Sequence, residues 1–208
     1  MKTRLLISLL AAALAACSIV PAERDAVLHT YFLNPETFSR SPAGESGKAG
    51  AATLLVSLPK ARSGFDTPRM AYLLRPHEVS YYATSEWADT PARMLLPLMV
   101  QSLERTMAWR AVVRMPNTAR GDYRLDSEEL AIEHHFFQKP SRVRLTLRAQ
   151  LVELRGQSVI GTRAFEVLED ASSDDAHGGM DAANRAVAKL LDQVAIWLSA
   201  LVQSQGGN

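Results

Sequence analysis

Cysteine is almost absent from this chain. Cys17 is the only one among 208 residues, so no internal disulfide can form, and a thiolate metal site or cysteine nucleophile would have to rest on that one residue. An excess of either charge is also missing. The 23 Lys and Arg side chains face 22 Asp and Glu, which gives no reason to expect nucleic acid as a partner. After Val20 no stretch approaches the roughly 18 consecutive apolar residues that mark a membrane span. Reactive constellations are scarce too. The chain has no glycine-rich phosphate loop and no strand-turn-helix nucleophile elbow, and its histidines never fall in a His-x-His or His-x3-His spacing. Gly44-Glu45-Ser46-Gly47 resembles an activated-serine turn, but no strand precedes it.

What the chain does have is concentrated at its start. Lys2 and Arg4 precede an apolar run from Leu5 to Ala13, broken only by Ser8, and Leu14-Ala15-Ala16 leads directly into Cys17. This is the layout of a secretory signal peptide over residues 1–16, and its Leu-Ala-Ala-Cys ending resembles a bacterial lipobox. That resemblance implies cleavage before Cys17 and acylation of its thiol and new amino group. Two or more acyl chains, at about 0.8 kcal/mol per buried methylene, make a stable anchor. Ordinary cleavage after Ala16 is the alternative. Ser18 follows the cysteine; an Asp there would favour retention at the inner membrane, so Ser18 points to the periplasmic face of the outer membrane. Without Lys2 and Arg4 the mature chain has 21 basic and 22 acidic side chains.

The expected organisation is a lipidated tether over 17–26, one domain over 27–203 and a short disordered tail over 204–208. Val27–Leu33 reads as a first strand. Pro35–Ala52 is rich in Ser, Gly, Ala and Pro and reads as a surface loop. Ala52–Leu58 is a second strand closed by Pro59. Met70–Leu74 and Glu78–Ala83 form a hairpin around Arg75-Pro76-His77. Thr90-Pro91 starts a helix, with Leu95, Leu98, Met99, Leu103 and Met107 on one stripe and an irregular early part at Pro97. A short strand over Trp109–Met115 follows.

Tyr123–Phe137 is a long strand whose apolar parity changes, so a bulge is expected at Ser127–Glu129. Val143, Leu145, Leu147, Ala149 and Leu151 alternate with Arg142, Arg144, Thr146, Arg148 and Gln150, a strand with one buried and one basic face. Val159–Leu168 returns as its partner after the turn at Arg155–Ser158. Asp181 is expected to begin a last helix, whose stripe runs from Met180 to Leu201. The sum is an α+β (mixed α/β) single domain, two amphipathic helices covering one face of a mixed or antiparallel sheet.

The candidate site residues are few. His134 and His135 are adjacent on a strand, so their rings point to opposite faces and cannot easily share a metal ion. One ring is expected to pack near Phe136 and Phe137, the other to face water. Asp174-Asp175 and Glu128-Glu129 read as solvated turn or strand-edge carboxylates. Arg144 and Arg148 lie on the basic face, which is either balanced by neighbouring Glu residues or docks an acidic surface or lipid phosphate. Tyr72, Tyr82 and Trp87 are either core or contact surface.

The run Met70-Ala71-Tyr72-Leu73, Val79-Ser80-Tyr81-Tyr82, Glu86-Trp87-Ala88, Pro91 and the Leu95-to-Leu103 helix resembles the ABC-type transport auxiliary lipoprotein family, which includes the lipoprotein of the Pqi system. Tyr31-Phe32-Leu33, Tyr123-Arg124-Leu125, the last strand pair and the terminal helix fit the same pattern. The resemblance implies a non-catalytic piece of an intermembrane lipid transport system. Its expected partners are an MCE-domain protein with an ABC permease and ATPase, phospholipid and further copies of itself as a homo-oligomer. It implies no catalytic residue, metal or cofactor. An outer-membrane assembly or pilotin-type lipoprotein, chaperoning a secretion or β-barrel partner, is the alternative class.

Overall fold

A computed structural model describes residues 26–34 and 50–205. The expected signal peptide, Cys17 and the expected tether up to residue 25, most of the expected loop (35–49) and residues 206–208 lie outside them. The described chain forms β1 (His29–Tyr31), β2 (Thr53–Val56), β3 (Arg69–Arg75), β4 (Glu78–Trp87), α1 (Pro91–Arg105), β5 (Ala111–Arg114), β6 (Tyr123–His135), β7 (Arg142–Glu153), β8 (Ser158–Asp170) and α2 (Ala176–Gln205). The class is α+β, a mixed parallel and antiparallel sheet with two helices.

β6 organises the sheet. Along one edge it pairs antiparallel with β7, which pairs antiparallel with β8. Two parallel strands share its other edge: β2 aligns with Tyr123–Leu125, and β3 aligns with Glu133–His135. β5 extends β2, while β4 and then β1 extend β3. The register of β6 against β7 shifts between Glu128 and Ala131, and Glu129 has φ of 57°. This is the bulge expected from the parity change. It lets Leu125 on one side and Leu130 and Ile132 on the other all enter the same core.

Both helices lie on that core face. α1 starts with Pro91 in its first turn after Thr90, whose carbonyl accepts from the Arg93 and Met94 N–H groups. Its Leu95, Leu96, Met99 and Leu103 are buried. The helix passes Pro97 without ending. Pro97 and Arg93 are both exposed, so the Arg93 carbonyl that Pro97 cannot satisfy turns to water.

α2 begins five residues earlier than the sequence suggests, at Ala176 rather than Asp181. Gly178-Gly179 reads as loop, but Asp175 Oδ1 accepts the Gly178 N–H at 2.8 Å and caps the first turn. By length and composition α2 could cross a membrane. Here its apolar stripe, Ala183, Val187, Leu190, Leu191, Val194 and Leu198, is buried in the core with Leu145, Leu147, Phe165 and Val167 of β7 and β8. Buried Glu169 accepts a hydrogen bond from Arg185 Nε at 3.4 Å and forms an ion pair with Lys189 at 2.5 Å, tying the helix to β8.

Leu190→Ala is expected to lower unfolding free energy by about 2–5 kcal/mol, and Ile196→Ala, on the opposite face at 71 % exposure, by under about 0.5 kcal/mol. Urea unfolding of the two variants checks this; equal effects would contradict a one-sided core helix.

Candidate functional site

The sequence candidates separate in space. Trp87 is 3 % exposed and belongs to the main core, so the folded domain withholds its indole from a partner. Tyr72 and Tyr82 are half-buried on the helix-side face, with ring centroids 4.8 Å apart, and Phe136 meets Tyr72 edge-on at 6.0 Å. They lie where β3, β4 and the end of β6 meet the first turn of α2. Arg144 and Arg148 project from the other face of the sheet.

Buried His134 sits at the centre of the aromatic group. Its Nδ1 is 2.9 Å from the Tyr82 hydroxyl and its Nε2 is 2.8 Å from Ser141 Oγ. Its ring stacks at 4.4 Å on Phe136. Burial pushes the imidazole down to about 4, against the opposing pull of Asp174 and Asp175, so it is neutral at pH 7. Burial, then the Asp175 charge, pushes the Tyr82 phenol up. The phenol therefore keeps its proton and is the natural donor to Nδ1, leaving Nε2–H to donate to Ser141. Asp174 accepts the Ser141 backbone N–H at 3.2 Å, and bonds from Ser141 hold its carboxyl below the ordinary range.

The pair of Ser141 and His134 has the atoms of a nucleophile and base, but Ser141 is fully enclosed and no reactant reaches its oxygen in this fold. The cluster's evident work is docking α2. A Cβ on Gly179 would lie 2.5 Å from His134 Nδ1, so a residue without a side chain is required where the helix crosses the ring. Sequence reasoning missed Ser141 and Gly179; the Gly-Gly pair was the available signal, of close approach rather than of loop. His135 points the other way, as expected, stacking on Phe137 at 4.7 Å and lying 3.3 Å from Glu133 Oε2. Among the described residues no group of three or more His, Asp and Glu side chains could hold a metal ion.

The outer face is an ion-pair ladder. Buried Glu133 meets Arg62 from the β2–β3 connection and Arg144 from β7, and Arg144 also meets Glu166 on β8. Arg148 faces Glu128, Arg142 faces Asp170, and Arg124 pairs with Asp126 at 2.8 Å. Burial alone would raise the Glu133 carboxyl, but the bond from His135 and the Arg62 guanidinium outweigh it and hold it low. The face that reads as basic in β7 is thus neutralised by its neighbours, five guanidiniums against five carboxylates. Glu128 and Asp175, candidates as paired carboxylates, are an ion-pair partner and a helix cap. Gly44–Gly47 lie outside the described residues.

This is an α+β domain with a one-sided helix layer, a neutralised outer face and an enclosed polar cluster. The model of the ABC-type transport auxiliary lipoprotein component family matches residues 31–195, and the chain belongs to that family. A crystal structure of a Xanthomonas campestris protein assigned to the family DUF330 superposes with a TM-score of 0.74 at 23 % identity, covering 88 % of this chain and all of that one. The structure of an uncharacterised protein superposes with a TM-score of 0.62 at 11 % identity, covering 83 % and 99 %. Both likenesses are of fold. No curated protein matches the chain.

Two outcomes follow from the electrostatics. The His134 imidazole is harder to protonate folded than unfolded, so the unfolded chain binds the extra proton as pH falls below about 6.5. Stability is expected to drop by about 3 kcal/mol between pH 6.5 and about 4, and most of that drop to disappear in His134→Gln, as read by urea midpoints; the depressed Glu133 carboxyl leaves a smaller loss of the same sign below about pH 5. On the outer face Glu133→Ala is expected to cost roughly 2–4 kcal/mol, since it strips buried hydrogen-bonded charge from two arginines. Exposed Arg148→Ala costs less than about 1 kcal/mol, and thermal unfolding of both variants measures the contrast.

Proposed function

We propose that this chain is a lipid-anchored, non-catalytic component of an MCE/ABC-type system that moves lipid between membranes. It is held by acylated Cys17 at the periplasmic face of the outer membrane. The observation that carries this reading is the family match over residues 31–195, from the last residue of β1 into α2, joined to a sole cysteine at the one position that lipobox acylation requires. The interior chemistry agrees: the one serine–histidine contact is sealed and the outer-face arginines are already paired, so the domain offers a shaped surface rather than a reaction. The partner in this reading is an MCE-domain protein with its permease and ATPase, docked by the domain while the acyl chains fix it to the bilayer.

Affinity purification of the chain from detergent-solubilised envelopes is expected to bring down an MCE-domain protein or permease, and deletion of the gene to raise detergent sensitivity through lost lipid asymmetry. If neither partner co-purifies and the envelope is unchanged, the reading fails.

A further inference from the structure

The end of the sheet formed by the β3–β4 turn and the exit of β6 carries exposed apolar side chains. Leu74 is 58 % exposed, Val79 40 % and Phe137 47 %. They are neighbours: Arg75 pairs with Glu78, which sets Leu74 beside Val79, and the Phe136 N–H donates to the Leu73 carbonyl at 2.9 Å, which sets Phe137 one residue beyond. Half-buried Tyr72 and Phe136 continue this surface toward the helix side. The charges among them are close to balance, with Arg75 paired to Glu78 at 3.8 Å and Lys139 acting on Asp174. An apolar patch without a charge bias suits insertion at an interface more than electrostatic capture.

The topology says which surface reaches it. β1 runs parallel to β4, with His29 level with Ser85, so the chain upstream of His29 heads back along β4 toward Glu78 and this end of the sheet. Val27 and Leu28, both exposed, stand level with Ala83 and Thr84. From there the β3–β4 turn is about five residues away, roughly 17 Å. The opposite corner, the β7–β8 turn at Arg155, lies roughly 30–35 Å off across the sheet. Ten residues separate Val27 from the acylation site, Cys17 to Ala26, and they span at most about 33–36 Å when fully extended. The near end lies well within that reach, whereas the far corner takes up almost all of it.

We propose that the end of the sheet bearing Leu74, Val79 and Phe137 is the membrane-facing end of the domain, its apolar side chains resting in the headgroup region of the bilayer that the acyl chains enter. The proposal rests on the acylated anchor proposed above. It orients the domain, with the start of α2 nearest the membrane, the helix running away from it, and the β7–β8 turn at the far end.

Because Cys17 is consumed by acylation, a new cysteine is the only free thiol. Full-length acylated Leu74→Cys, Phe137→Cys and Arg155→Cys chains, each labelled with an environment-sensitive fluorophore, would be reconstituted into phosphatidylcholine vesicles carrying a nitroxide-labelled lipid. Loss of fluorescence to the nitroxide is expected for Leu74→Cys and Phe137→Cys but not for Arg155→Cys. The loss is expected to be unchanged by raised salt and by added phosphatidylglycerol, because the contact is apolar. An anchored chain whose Leu74 and Phe137 labels stay in water, or whose Arg155 label is quenched equally, overturns this proposal alone. A chain that washes off the vesicles overturns the anchor and this proposal together.

Discussion

The burial of one helix stripe against two strands is the constraint on which the rest depends. α2 has the length and apolar content of a membrane span, yet its Val187, Leu190, Leu191, Val194 and Leu198 are closed against β7 and β8. Apolar area on this scale is the dominant favourable term in folding. Once committed to the core, the helix is no longer available to the bilayer. Attachment to a membrane then falls, in the reading favoured here, to the N-terminal cysteine. The clamps on the N-terminal half of the helix are polar: the His134 cluster under the first turn, and Glu169 with Arg185 and Lys189 two to three turns on.

β6 translates that packing into a surface. Its bulge at Glu129 keeps both halves of a 13-residue strand facing one core, so β2 and β3 can share its free edge. The face turned away from the helices carries paired guanidiniums and carboxylates, which leaves neither an anion trap nor a reactive centre.

Much of this was legible locally. The alternation of β7 fixed its buried face, the parity change in β6 located the bulge, and the Arg75-Pro76-His77 corner marked the hairpin. What failed to show was long-range or masked by composition. Nothing in β2 or β3 says that they divide one edge of β6, because parallel pairing leaves no mark in adjacent residues. The start of α2 was hidden by Gly178-Gly179, whose first member is capped by Asp175 and whose second makes room for His134. Trp87, ambiguous by residue type, proved to be core. Arg144 and Arg148 read as a basic stripe because their partners, Glu133, Glu166 and Glu128, come from other strands.

In the function proposed here, a domain whose long apolar helix is buried and whose polar cluster is sealed acts through where it is held. The family places it among lipoproteins, and Cys17 stands at the lipobox position. The most direct test is the mass of the N-terminal peptide of the protein isolated from membranes. The account predicts a peptide beginning at Cys17 and heavier by a diacylglyceryl group and an amide-linked acyl chain. An unmodified peptide, whether it begins at Met1 or at Cys17, would contradict it.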